Sequence, residues 1–141
     1  MASFIEGFCW SLINGTRSEN DLKFRLSTAS VYDVGGMSLH SVSNCINNKF
    51  IVCIGNSNLT SRYTESFVNF TVNFQINDAR QIPIIIPNKN QLDEFESLFD
   101  IAYTIKKGEY SNHLPVDKAE IKLAQLQEKL DNFVKKLYNL I

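Results

Sequence analysis

Val116, Ala119, Leu123, Leu126, Leu130, Phe133, Leu137 and Leu140 follow one another at alternating intervals of three and four residues. Only an α-helix brings such positions into line, and the strict alternation is the heptad seam of a coiled coil rather than a broad globular face. Pro115 stands at the helix entrance, where its missing N–H costs nothing, and Asp117 complements the helix dipole in the first turn. Lys122, Lys129 and Lys136 fall on one flank of the seam, Glu120 and Gln127 on the other. A seam of this kind needs a partner. Either the helix packs back on its own domain, or it pairs with a second long helix from another subunit or from a larger enzyme.

The remaining chain reads as strands and shorter helices. Phe4 to Ile13 is an apolar stretch that holds the only tryptophan, Trp10, and Asn14-Gly15 opens a polar loop. Leu22, Phe24 and Leu26 alternate with Lys23 and Arg25, which is the period of a half-buried strand. Ala29 to Val34 reads as another strand that ends at Gly35-Gly36. Phe50-Ile51-Val52-Cys53-Ile54 is continuously apolar, as expected of a central strand covered on both faces. Ser57 or Asn58 then caps a helix over 58–70, with Leu59, Tyr63, Phe67 and Phe70 at helical spacing and Arg62, Glu65 and Ser66 outward. Asn73 to Asn77 alternates again, Asn77-Asp78 favours a turn, and Ile82 to Ile86 is a β-branched run between Pro83 and Pro87, hence an edge strand or an extended segment. Leu92, Phe95, Leu98, Phe99, Ala102 and Ile105 predict a helix over 91–107, with Gly108 as its stop. These readings predict an α+β fold: a small mixed or antiparallel sheet from segments near 22–26, 29–34, 50–54, 73–77 and 82–86, packed by two helices and followed by a long C-terminal coiled-coil-like helix.

Composition sets limits on function. The chain has 141 residues, 44% of them apolar and 21% charged, which is ordinary globular composition with room for one core. A net charge of -1 does not favour a nonspecific polyanion binder, although a local basic patch is compatible with it. The cysteines, Cys9, Cys45 and Cys53, form no CxxC pair and have no histidine cluster near them in sequence, so neither a disulfide framework nor a zinc site is signalled. No apolar run reaches the roughly 18 residues of a membrane span. A soluble cytoplasmic protein is expected.

The order of residues from Asn73 to Pro87, Asn-Phe-Gln-Ile-Asn-Asp-Ala-Arg-Gln-Ile-Pro-Ile-Ile-Ile-Pro, is more particular than patterning requires. It resembles the segment that closes the target-recognition region of large bacterial adenine-specific DNA methyltransferases of restriction-modification and BREX-type phage defence. Other phrases resemble that family in the same order: Cys9-Trp10-Ser11-Leu12-Ile13, Val31-Tyr32-Asp33-Val34-Gly35-Gly36-Met37-Ser38-Leu39, and Ile54-Gly55-Asn56-Ser57 with the helix after it. The resemblance covers about residues 9 to 110. It implies that residues 1–112 form a DNA target-recognition domain, while the heptad spacing assigns residues 113–141 to a helix for packing or dimerisation through 116–140.

The catalytic signatures of those enzymes are not in this sequence. The Asp/Asn-Pro-Pro-Tyr/Phe loop that holds the flipped base is missing, and Gly35-Gly36 is followed by Met37-Ser38 rather than by a methyl-donor-binding spacing. His40 and His113 stand far apart, and no nucleophile with a base can be argued from sequence order. No catalytic residue, cofactor or metal is therefore expected. The resemblance implies a recognition module on double-stranded DNA, completed by a catalytic methyltransferase domain or subunit. Arginine can serve guanine, asparagine adenine and lysine phosphate, which makes Arg17, Lys23, Arg25, Arg62, Asn14 and Asn44 the candidate contacts. The competing expectation is a noncatalytic homodimeric interaction or adaptor domain whose C-terminal helix is the working surface.

Overall fold

A computed structural model describes residues 7–11, 25–27, 36–39, 45–68 and 75–141. The chain separates into two compact units, Met1–Ile86 and Pro87–Ile141.

In the first unit, strands β1 (Gly7–Ser11), β2 (Arg25–Ser27) and β3 (Gly36–Leu39) pair in the order β2-β1-β3. Both pairings are antiparallel, with Phe8 opposite Leu26 and Leu39. From residue 45 onward the described chain is 73% helical and contains no strand. The expected α+β architecture is overturned. Its central strand, Phe50–Ile54, lies inside helix α1 (Asn48–Gly55). Ile76 and Asn77, read as a strand end, belong to the short helix α3 (Ile76–Ala79). Residues 82–86 are in neither helix nor strand. Of the expected strand 22–26 only Arg25 and Leu26 are described, and they do pair; residues 29–34 lie outside the described residues.

The error over 50–54 has a physical cause. A short continuous apolar run fits a buried helix as well as a covered strand, because neither leaves a polar face to set the period. What decides is the N-cap. Asn47 has extended backbone, and its Oδ1 accepts the Phe50 N–H at 2.9 Å, satisfying a donor that a helix start leaves open. Phe50, Val52, Cys53, Ile54 and Gly55 are then all buried.

The second unit is an antiparallel pair of helices, α4 (Lys89–Tyr110) and α5 (Val116–Leu137). Helix α4 begins with a capping box: the Asn88 side chain accepts from the Gln91 N–H, and the Gln91 side chain accepts from the Asn88 N–H, each at 2.9 Å. Gly108 does not stop this helix. It lies in the last turn where Leu114 crosses, and a Cβ there would sit 3.4 Å from the Leu114 Cβ. The stop is Asn112, in the left-handed region at φ 57°. Around it His113 N–H donates to Gly108 O at 2.9 Å and Asn112 N–H to Glu109 O at 3.1 Å, the paired bonds of a Schellman ending. Helix α5 ends the same way: Asn139 has φ 56°, Leu140 N–H donates to Lys135 O at 2.9 Å and Asn139 N–H to Lys136 O at 3.1 Å.

Between the helices Phe95 and Leu98 of α4 are buried with Ala119, Leu130, Val134 and Leu137 of α5. Phe95 meets Phe133 edge to face at 5.9 Å between ring centroids. Phe95→Ala should therefore cost about 3–5 kcal/mol of unfolding free energy, measured by urea denaturation. Asn112→Ala should cost on the order of 1 kcal/mol, because a Cβ-bearing residue without a locally bonding side chain resists the left-handed region, whereas Asn112→Gly should not destabilise.

Candidate nucleic-acid interface

Arg62, the described member of the proposed DNA contacts whose side chain can be placed, is exposed in the last turn of α2 (Asn58–Tyr63). How that helix is set follows from its hydroxyls. Ser57 is the N-cap, in extended backbone, and its Oγ donates to Ile54 O at 2.7 Å while accepting the Thr60 N–H at 3.3 Å. One side chain thus closes the carbonyl end of α1 and opens α2. Thr60 Oγ1 lies 3.1 Å from the same oxygen.

Helix α2 runs on into a π-helical turn, Thr64–Val68. Its buried face is not the expected aromatic one. Ser57, Thr60 and Thr64 are buried, whereas Phe67 is 77% exposed and stacks in a tilted contact on Tyr63 at 5.3 Å. Arg62, Glu65 and Ser66 are exposed. Two physical reasons account for the difference. Ser57 and Thr60, which bond each other and the local backbone, can be buried at little cost, and a π turn adds a residue, so 3.6-residue spacing does not carry one face across it. Phe70 lies outside the described residues.

Asn14, Arg17, Lys23 and Asn44 lie outside the described residues, and Arg25 is described only through its backbone in β2, where it pairs with Cys9. Grouping of these positions with Arg62 therefore remains an expectation. The segment that carries the resemblance can be followed from Gln75. Asp78 accepts the Gln75 N–H at 2.9 Å, and the Gln81 side chain donates to Asn77 O at 3.3 Å, so the Asn-Asp pair caps and closes the short helix α3. Arg80 is exposed beyond it. Pro87 is buried next to the Asn88 cap of α4, while Ile84, Ile85 and Ile86 are exposed. Asp78 thus bonds local backbone, as the Asn77-Asp78 pair led one to expect, although in a short helix, and Pro87 is buried at the entry to α4.

Among the described residues no group of three His, Cys, Asp or Glu side chains could hold a metal ion. His113 is an exposed residue of the α4–α5 turn, Cys45 is exposed and Cys53 is buried in α1. Among the described residues no helix is long and apolar enough to cross a membrane.

The sequence gives no signal for Thr64. Its Oγ1 is buried without a hydrogen-bond partner, and the residue is 1% exposed. A buried unsatisfied hydroxyl costs about 1–3 kcal/mol. Thr64→Val, which keeps the shape and removes the hydroxyl, should raise the unfolding free energy by about 1 kcal/mol in urea titration. A loss of stability would show that the hydroxyl has a bonding role in the native state.

No family model, curated protein or solved structure matches this chain.

Proposed function

We propose that this chain is a sequence-recognition module of a bacterial adenine-specific DNA methyltransferase or restriction-modification system, noncatalytic by itself and acting on double-stranded DNA together with a catalytic domain or subunit. The observation that carries this reading is the ordered set of phrases at residues 9–13, 31–39, 54–57 and 73–87. The surface of the fourth phrase is compatible with it. Three consecutive exposed isoleucines, Ile84 to Ile86, leave an apolar run that a second protein surface would cover. Arg62 is an exposed arginine on the helix set by the Ser57 cap, the residue type that serves a base edge or a phosphate.

A noncatalytic interaction or adaptor domain is the second reading. It is favoured by the C-terminal helix α5, which leaves the apolar side chains of Val116 and Ile121 exposed and would be the working surface of a homodimeric domain.

Selection of the full chain against randomised duplex DNA, with sequencing at two salt concentrations, separates the readings. A recognition module should enrich one motif and weaken as salt rises. Arg25→Ala or Arg62→Ala should cost about 1–3 kcal/mol of binding if that guanidinium reads a guanine, and should relax the preference at one position. Failure to retain any duplex at low salt, together with self-association of the full chain through its C-terminal helix, would overturn the recognition reading in favour of the interaction domain.

A further inference from the structure

The apolar side of α5 is taken by α4, but the contact does not account for where its lysines stand. Lys118, Lys122, Gln125, Lys129, Asn132 and Lys136 follow one another at intervals of four and three residues. At about 100° per residue they share an arc of about 80° round the helix axis, and no other residue of α5 falls within it. All six are exposed. At about 1.5 Å per residue the stripe runs for about 27 Å from Lys118 to Lys136.

The other charges of α5 are the carboxylates Asp117, Glu120, Glu128 and Asp131 and a fifth lysine, Lys135. By the same count each lies at least about 80° from the nearest lysine of the stripe. Helix α5 is thus segregated in charge round its axis, although its lysines and carboxylates nearly balance. Helix α4 adds Lys89, Lys106 and Lys107 and the carboxylates Asp93, Glu94, Glu96, Asp100 and Glu109. Among the described residues no carboxylate of either helix ion-pairs with Lys118, Lys122, Lys129 or Lys136, and Glu109 is held by Lys106 at 3.0 Å. Lys129 Nζ lies 5.8 Å from the centroid of the Phe133 ring, a contact that orders the side chain without neutralising its charge.

A line of uncompensated cations interleaved with amides complements a linear polyanion. We propose that this stripe is a contact surface for the sugar-phosphate backbone of duplex DNA. The four lysines neutralise phosphates, and Gln125 and Asn132 donate hydrogen bonds to phosphate oxygens. The choice of duplex DNA rests on the recognition reading above. The stripe supplies the sequence-independent part of the affinity, on a unit that holds none of the candidate base contacts. An anionic membrane fits less well, because a helix lying in a bilayer interface buries an apolar face there. Helix α5 uses that face on α4, and of its exposed apolar residues Ile121 lies at the edge of the stripe and Val116 on the far side.

Fluorescence anisotropy of a labelled duplex with the full chain, over a salt series, tests the assignment. Lys122→Gln combined with Lys129→Gln should weaken binding at least about tenfold near 100 mM salt and make log affinity against log salt shallower by about two. The helical circular dichroism and the motif selected from randomised duplexes should not change. Lys122→Arg with Lys129→Arg should keep the affinity, and Lys135→Gln, which removes a charge off the stripe, should leave the slope unchanged. An enriched motif whose salt slope ignores the Lys122/Lys129 pair overturns the stripe and leaves the recognition reading intact. Binding to all duplexes alike that the pair weakens supports the stripe and counts against sequence recognition. No duplex bound at low salt overturns the stripe, as does a Lys135→Gln effect equal per charge to that of the pair, which is net charge alone. Capture by phosphatidylserine-rich vesicles that the pair abolishes, with duplexes ignored, overturns the DNA assignment in favour of a membrane.

Discussion

Burial of one apolar line between α4 and α5 is the constraint on which the second unit depends. Neither helix would be more than marginal alone in water, because nucleation is costly and propensity adds little per residue. Side by side, they remove Phe95, Leu98, Ala119, Leu130, Val134 and Leu137 from solvent. The small residue matters as much as the large ones. Ala119 is fully buried near the turn, and Phe95 meets Phe133 edge to face toward the open end. The ends are fixed by backbone chemistry, a reciprocal Asn88–Gln91 cap and two Asn residues in the left-handed region, so the register is set by the turn and by the seam together.

Packing also alters the seam itself. Val134 is buried although it lies outside the strict heptad line, and Val116 and Leu140, which lie on it, are exposed. Toward its C-terminal end Leu130, Val134 and Leu137 are buried with Phe133 half-buried among them, a wider face than a two-position seam. Val116 is the first residue of α5, beside the turn, and Leu140 lies beyond its last residue, Leu137. The seam thus serves a contact within the chain, and both helices leave apolar residues exposed, Ile101, Tyr103 and Tyr110 on α4 and Val116 and Ile121 on α5.

The first unit is organised differently, by small polar groups. Ser57 joins α1 to α2 by satisfying a carbonyl of one and a donor of the other, and Thr60 and Thr64 take the buried face that aromatic residues were expected to fill. Arg62 owes its outward direction to that face rather than to an aromatic stripe. Helix α2 therefore rests on the Ser57 and Thr60 hydroxyls, with Thr64 buried beside them without a hydrogen-bond partner. Among the candidate DNA contacts only Arg62 could be judged on its side chain, and its exposure is what the spacing of charged residues around it implied.

The long terminal helix, its entry at Pro115, the Ser57 cap and the outward placement of Arg62 were legible in the residue order, because each rests on local chemistry: a period, a missing N–H, a side-chain acceptor. The helical state of Phe50–Ile54 was not, since an all-apolar run carries no period, and its Asn47 cap becomes decisive only once the run is known to be enclosed. The stop of α4 at Asn112 rather than Gly108 was also hidden, because where a helix turns depends on where its partner must begin. Sequence determined which segments are helix formers and which faces they offer. Tertiary structure decided what each face meets, since burial is a property of two surfaces and a single segment specifies one of them.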